Sequence, residues 1–458
     1  MHFLMGYADY LNGFEKLVTG YVPERSSWGP PEHALYGPPD PYRVPTEEAN
    51  DLCFKAIKFQ FDRHFHNNRM YHDFCLESNV CPEDITSFQD LCKVPLIPNE
   101  FFKDCPSGKD FALWLANVYT GELPQIQIKG ANPTTDEVIK AFNDAGMAVF
   151  FSSGTGGRHT FMPRDMRSFQ MNEYAMAKGV VAMFYPHWNQ NMHGYLLLPN
   201  PFKTNLFAGR LGTIFVDIMK EVEMAIDREI DTELIKLSMS DGKGLKGRMV
   251  NYISKKRHQK IINDIISWIE KNQREGNEMA FVGAPFLLYA TIKKLKKEGR
   301  SFDIGERGAV LTGGGWKIQE HQRIPESEFR NDVESVLGIR PEHCLDLYGM
   351  VEGNVWLTQC PEGHYLHIPN CYVHPMVLDD SYQSLGYGKV GRFAFLDGSM
   401  YSYPGFIITN DRVSMLERCP VCGRPGPVLE PGVTRVPGKE SRGCAEEVRK
   451  MISVDMKR

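Results

Sequence analysis

An apolar run, Met147-Ala-Val-Phe-Phe151, opens directly into Ser152-Ser-Gly-Thr-Gly-Gly-Arg158, and this junction constrains the chain more than any other stretch. The run has strand character. The glycines behind it reach left-handed conformations and let the main chain approach a ligand closely. Successive N–H groups then point into one concavity, and the Ser and Thr hydroxyls add donors, which makes a nest for a phosphate chain. The same residues also read as a small-residue turn after a buried strand, since Gly and Ser clusters mark turns. The flanking sequence decides between the two.

Strand and helix patterns alternate from about residue 147 to 350. Met166, Phe169, Tyr174 and Val181 recur at helical spacing and predict a helix over 165–183. Leu196–Leu198 and Gly212–Asp217 read as strands, and the charged span 221–275 reads as helix broken at Gly242-Lys-Gly244. The basic residues from Lys243 to Lys260 belong to a solvated helix face, because mixed charge marks exposed helix surface. Met279–Ala284 and then Pro285 give strand, turn and helix, with proline in its favoured first turn. Ala309–Leu311 is a strand ending in Thr312-Gly-Gly-Gly-Trp-Lys317; a helix runs on to Leu337, and Cys344–Tyr348 is a strand ending in Gly349-Met-Val-Glu352. This alternation implies an α/β fold, a large N-terminal domain with mainly parallel sheets flanked by helices, and a short C-terminal α+β domain. Loops 152–158, 312–317 and 348–352 then all leave the carboxyl ends of strands, where open α/β sheets bind ligands. Three such loops on one rim favour a nucleotide site over an unrelated set of turns.

Upstream, residues 1–45 are rich in Pro, Tyr and Gly and read as an irregular arm. Thr46-Glu-Glu-Ala starts a helix through His64, residues 81–98 hold a short helix between turns, and Thr134 starts a helix reaching Phe142. The expected organisation is therefore arm 1–45, large domain 46–411 and small domain 412–458. Apolar content of 42% supports a sizeable core, and a net charge of −5 argues against a basic nucleic-acid-binding field. No stretch reaches the ~20 apolar residues that span a bilayer. Met1-His-Phe-Leu-Met lacks the basic and apolar regions of an export signal, and eleven cysteines is an odd count, so reduced thiols in the cytoplasm are expected.

Ser152-Ser-Gly-Thr-Gly-Gly157, Leu311-Thr-Gly-Gly-Gly-Trp-Lys317, Asp346-Leu-Tyr-Gly-Met-Val-Glu352 and Ile408-Thr-Asn-Asp411, in this order, resemble the adenylate-forming superfamily of acyl-CoA synthetases. Within its phenylacetate–CoA ligase branch, Val94-Pro-Leu-Ile-Pro98, Phe102-Lys103 and Arg442-Gly-Cys-Ala445 resemble the acyl-protein synthetases of bacterial luminescence systems. The resemblance implies that Ser152, Ser153, Gly154, Thr155, Gly156 and Gly157 wrap the β- and γ-phosphates of ATP. It implies that Gly313, Gly314 and Gly315 pass the adenine, that Tyr348, followed by Gly349, stacks on it, and that Asp411 takes the ribose hydroxyls. Glu352 would hold Mg2+, and Lys317 would touch phosphate. The sequence departs from the family where Gly156 replaces a threonine and no lysine closes the glycine loop, leaving Arg158 to supply the charge. Asp411 also lies 47 residues from the end of the chain, about half the usual small domain, with Lys439 and Lys450 as alternative catalytic lysines.

Cys419-Pro-Val-Cys-Gly is a knuckle in which two thiolates face one ion. Cys360 with His364 or His367 supplies its other half, His367 being preferred from the resemblance and Cys371 competing. The expected site is a structural Zn2+ held by Cys360, His367, Cys419 and Cys422, the alternative being free thiols. Cys444, in the polar tail between Arg442 and Arg449, is the expected acyl-accepting nucleophile, since neighbouring arginines favour thiolate. The expected enzyme is an acid–thiol ligase that forms acyl-AMP from a carboxylic, fatty-type acid. It passes the acyl group to Cys444 or a partner protein; a CoA ligase is the alternative. A zinc-containing scaffold with a degenerate nucleotide site is the non-enzymatic one. His187, Trp188 and His193 either line the acid pocket or belong to the core.

Overall fold

Runs of β-branched and aromatic residues form the strands, and in chain order these are β1 (Ile97–Pro98), β2 (Ala148–Phe151), β3 (Phe161–Arg164), β4 (His193–Pro199), β5 (Glu221–Ile226), β6 (Met279–Gly283), β7 (Gly308–Gly313), β8 (Cys344–Tyr348), β9 (Leu357–Gln359), β10 (Leu366–His367), β11 (Val373–Leu378), β12 (Val390–Asp397), β13 (Phe406–Leu416), β14 (Val428–Leu429) and β15 (Thr434–Arg435). The computed structural model describes residues 6–103, 105–152, 159–229, 245–315 and 323–435, with the backbone alone for 245–255. The chain forms two compact units. One is Met1–Thr19, Met183–Tyr348 and Gln359–His364; the other is Gly20–Ala182, Gly349–Thr358 and Tyr365–Arg458. Among the described residues no helix is long and apolar enough to cross a membrane.

The first unit holds the expected parallel sheet, in the order β5-β4-β6-β7-β8. β6 is buried along its whole length and β7 nearly so, which is why they read as unbroken apolar runs rather than alternating ones. Helices Leu245–Glu275, Pro285–Lys297 and Glu326–Leu337 make the crossovers between successive parallel strands. Their apolar stripes meet the sheet in one core that includes Ile265, Ile269, Phe281, Leu288, Val310 and Val333.

Two elements here differ from expectation. Gly212–Ile218 is a helix, not a strand. Ile214, Phe215 and Ile218 are buried while Asp217 is exposed, a one-sided helical burial that overrides the strand propensity of Thr-Ile-Phe-Val. Glu221–Ile226, read as the start of a charged helix, is the edge strand β5. Its Glu221 and Glu223 stay exposed, and charge on an edge strand blocks pairing with a further chain. Residues 230–244, including Gly242 and Gly244, lie outside the described residues.

The second unit is mainly antiparallel. β11, β12 and β13 pair in sequence, β14 and β10 continue from β13, and β1 and β15 also pair with β13. The apolar run before the glycine loop does not join a parallel sheet. Among the described residues β2 pairs with β3, antiparallel, so the strands flanking the loop form a hairpin. The proline-rich arm is less irregular than expected. Pro30 and Pro31 open a helix to Tyr36, where the missing N–H groups of proline cost nothing. Glu32 accepts from the backbone N–H of Gly29 at 3.0 Å, from Tyr401 Oη at 3.0 Å and from Arg167 Nε at 3.1 Å. The helix from Thr46 runs to Asn67 with Pro45, not Thr46, at its N-cap. The helix Thr135–Asp144 carries the reciprocal Thr134–Glu137 capping pair. The segment 81–98 contains short 3₁₀ turns at Pro82–Asp84 and Phe88–Lys93.

Leu288 is fully buried among the helices and sheet of the first unit. Leu288→Ala is expected to lower stability by about 2–5 kcal/mol, through lost burial and the cavity left behind, read as a lower denaturant midpoint at unchanged slope.

Candidate functional site

The neck of the glycine loop is well defined. Ser152 N donates to Thr160 O at 3.0 Å, Thr160 N donates to Ser152 Oγ at 3.0 Å, and His159 Nδ1 lies 2.7 Å from Ser152 O. Ser153, Gly154, Thr155, Gly156, Gly157 and Arg158, between these ends, lie outside the described residues. From the neck, Thr160 Oγ1 donates to Glu352 Oε1 at 3.4 Å. The second unit thus brings Ser152 and the motif glutamate to one place through a threonine that the motifs did not single out.

Glu352 is buried, and burial pushes its carboxyl above the usual range, opposed by the positive charge of Lys103 and reinforced by Asp411. Lys103 ends the 3₁₀ turn Asn99–Lys103 that follows β1. β1 pairs in parallel with β13, Ile97 against Ile407 and Pro98 against Ile408. The Val94–Pro98 and Ile408–Asp411 motifs therefore meet in adjacent strands, and Lys103 follows β1 by one 3₁₀ turn. Asp411 lies within β13, opposite Arg435 of β15, with the guanidinium Nε 3.8 Å from its carboxylate. Its backbone N–H donates to Thr409 Oγ1 at 3.1 Å.

The segment carrying Glu352 is clamped from below by Arg164, which is 0% exposed. Its guanidinium donates to Val351 O at 2.8 Å, to Gly353 O at 3.2 Å and to Asn354 Oδ1. Asn354 N donates to Asp397 Oδ2 at 2.6 Å, and Tyr403 Oη donates to Val351 O at 3.1 Å. Gly349 is obligatory at the head of this segment, since a Cβ there would sit 2.2 Å from the Trp356 ring. Arginine in the otherwise apolar strand Phe161-Met-Pro-Arg164 was the available signal for this clamp.

In the first unit, β7 ends in Thr312-Gly313, and Gly314 and Gly315 take φ of +74° and +63°, conformations suited to glycine. Tyr348 is half-buried at the end of β8. The two strand ends are tied together, because Thr312 Oγ1 donates to Asp346 Oδ1 at 2.6 Å. Asp346 N donates to Gln359 Oε1 at 2.9 Å, and Gln359 Nε2 donates to Glu326 Oε2 at 2.8 Å. Burial, helped by the Glu326 charge, pushes the Asp346 carboxyl up to about 6. Trp316 and Lys317 lie outside the described residues. Trp188 and His193 are buried in this unit and His187 is half-buried.

Of the expected zinc ligands, the second unit brings three together. Cys422 Sγ lies 3.3 Å from His367 Nε2, Cys422 N donates to Cys419 Sγ at 3.5 Å, and the three donor atoms lie within 4.8 Å of one another. Both cysteines are free thiols, not a disulfide. Cys360 is buried in the first unit. His364 sits 3.1 Å from Pro341 O, and Cys371 packs against Val44 and Ala49 in an apolar cluster. Lys439, Cys444 and Lys450 lie outside the described residues.

The acyl-protein synthetase family, LuxE, matches residues 252–453. The long-chain-fatty-acid–luciferin-component ligase of Vibrio harveyi is 23% identical over 410 residues, covering 88% of this chain and 89% of the relative. The protein of the same name in Aliivibrio fischeri is 21% identical over 416 residues, covering 90% and 91%. Among solved structures, an open conformation of 2-hydroxyisobutyryl-CoA ligase in complex with 2-HIB-AMP and CoA is similar in fold, with a TM-score of 0.57 at 12% identity over 86% of this chain and 71% of that one. The adenylate-forming fold implied by the motifs and their likeness to acyl-protein synthetases are both borne out.

Asp346 gives a test of this local electrostatics. Its folded value of about 6 lies above the unfolded value near 3.8, so the native state keeps the proton longer. Stability is expected to fall as pH rises through that window, the unfolded state then binding fewer protons. Asp346→Asn should flatten this slope in denaturant melts recorded across the same range.

Proposed function

We propose that this chain activates a carboxylic acid of the long-chain fatty type with ATP and transfers the acyl group to a cysteine thiol. One carboxylate oxygen attacks the α-phosphorus, the bond to the β-phosphate oxygen breaks, and pyrophosphate leaves behind an acyl-AMP anhydride. A thiolate then adds to the acyl carbonyl, the bond to AMP breaks, and a thioester remains. The first acceptor is Cys444, and a partner protein takes the acyl group from it.

Approach of an anionic acid to a triphosphate must overcome like-charge repulsion, so fixed donors and positive charge are what the site has to supply. Ser152, Ser153, Gly154, Thr155, Gly156 and Gly157 hold the β- and γ-phosphates. Gly313, Gly314, Gly315, Tyr348 and Gly349 hold the adenine, and Asp411 holds the ribose. Lys317 and Arg158 contribute charge to the phosphates. A buried carboxylate beside a hydroxyl is an oxygen donor set suited to a hard cation, so Glu352 would hold Mg2+, which supplies charge neutralisation when bound. The observation that carries this reading is the Thr160–Glu352 hydrogen bond, which ties the neck of the glycine loop to the motif glutamate. Lys103, whose charge acts on Glu352, stands in for the lysine the loop lacks. The large domain is 46–411 and the small domain 412–458, with 1–45 as the arm.

Exchange of labelled pyrophosphate into ATP, run with saturated fatty acids of graded length and with aromatic acids, tests the first half. Acid-dependent exchange that falls about 10²–10³-fold in Glu352→Gln is expected, the scale of losing one preorganised charge contact. No exchange with any acid would sink the proposal. Labelled acid retained on the denatured wild-type protein and absent from Cys444→Ala is expected for the second half. Turnover that requires CoA and ignores Cys444→Ala would make the chain a CoA ligase instead.

Cys419, Cys422 and His367, with Cys360 as fourth ligand, form a donor set of the kind that holds structural zinc, which when bound fixes the knuckle and leaves no open position. Co2+-loaded protein should show thiolate-to-cobalt absorption, and Cys422→Ser should abolish it while chelation lowers the melting temperature of the wild type.

A further inference from the structure

A second group of metal-binding side chains lies at the amino ends of the parallel strands in the first unit. The 3₁₀ turn Gly305–Arg307 leads into β7 and carries Glu306, and the turn Pro341–His343 leads into β8 and carries His343. His187 comes from the segment ahead of β4. The His187 and His343 rings lie with centroids 3.7 Å apart at 45°. His343 Nε2 lies 3.7 Å from Glu306 Oε2. One donor atom from each of the three residues falls within 4.8 Å of the others. Donors around an ion with bonds of about 2.0 Å stand roughly 3.3 Å apart, so binding would draw these atoms closer together.

His343 is 2% exposed, and its buried Nδ1 has no hydrogen-bond partner among the described residues. Buried ring nitrogens in native proteins are ordinarily satisfied, and one left over in a histidine pair beside a carboxylate points to a ligand. The surroundings balance charge. Arg340 holds the other oxygen of Glu306 and lies 3.3 Å from Glu342, so two carboxylates face one guanidinium.

We propose that His187, His343 and Glu306 bind a borderline divalent cation, Zn2+ foremost, with water completing the shell. Two imidazoles and one carboxylate suit zinc over magnesium or calcium, which take all-oxygen sets. The bound ion pins the segment ahead of β4 to the starts of β7 and β8. This site is independent of the nucleotide reading and of the cysteine cluster.

Equilibrium dialysis of the full chain against micromolar Zn2+, after chelator treatment, reads the site directly. Double substitution Cys419→Ser, Cys422→Ser is expected to leave about one bound zinc per chain, and its Co2+ form should lack thiolate absorption. Adding His187→Ala or Glu306→Gln should remove that remaining equivalent. Both positions are accessible enough to spare the fold, and Glu306→Gln keeps the shape of the side chain, with circular dichroism confirming folding. Zinc content unchanged in the folded His187→Ala and Glu306→Gln proteins, or a cysteine double variant that binds none, would overturn the proposal.

Discussion

A guanidinium taken out of water must place its donors on acceptors, and Arg164 places them on the one stretch of chain that carries the motif glutamate. Unpaired burial of such a charge is costly, so the carbonyls of Val351 and Gly353 and the side chain of Asn354 are held where Arg164 needs them. Asp397 completes the arrangement from the opposite direction. It accepts from Asn354 N and from Ser399, and burial raises its carboxyl while these bonds and the Arg164 charge pull it back. Arg164 ends β3, the strand that returns from the glycine loop, so one hairpin carries both the proposed phosphate loop and the anchor of the proposed metal-binding acid. A single rigid hairpin can then set the position of both.

The first unit was legible because its strands are buried on both faces and its helices are amphipathic. β6 and β7 with their following helices, and β8 after them, stand where the apolar runs, Pro285 and the Phe329–Leu337 spacing put them. Failure came where tertiary packing overrode local preference. Thr213 to Val216 have strand propensity, but a one-sided burial made them helical. Glu221 and Glu223 looked like helix surface because an edge strand also shows charge to water. The setting of the glycine loop was mistaken, since a hairpin and a βα turn begin with the same apolar run.

At the candidate site, residues proposed to touch ligands were easier to find than residues that hold them in place. Glu352, Asp411 and the Cys419–Cys422 knuckle stand in motifs with characteristic spacing. Thr160, Arg164, Asn354 and Asp397 belong to no motif, and their partners lie up to 192 residues away in sequence. Lys103 was visible as part of a family marker, but its reach to Glu352 required the β1–β13 pairing, which joins residues about three hundred positions apart. Glu306 and His343 belong to no motif, His187 was singled out only as a pocket or core residue, and the fold of the first unit brings the three together.

β13 runs for eleven residues and pairs with β12, β14, β1 and β15. Side chains alternate faces along such a strand, so inserting or deleting one residue ahead of Asp411 would send its carboxylate to the opposite face while every ladder hydrogen bond could still form. The number of residues between Phe406 and Asp411 therefore sets which face the Asp411 carboxylate takes. There the count of residues is itself under constraint, whatever their identity.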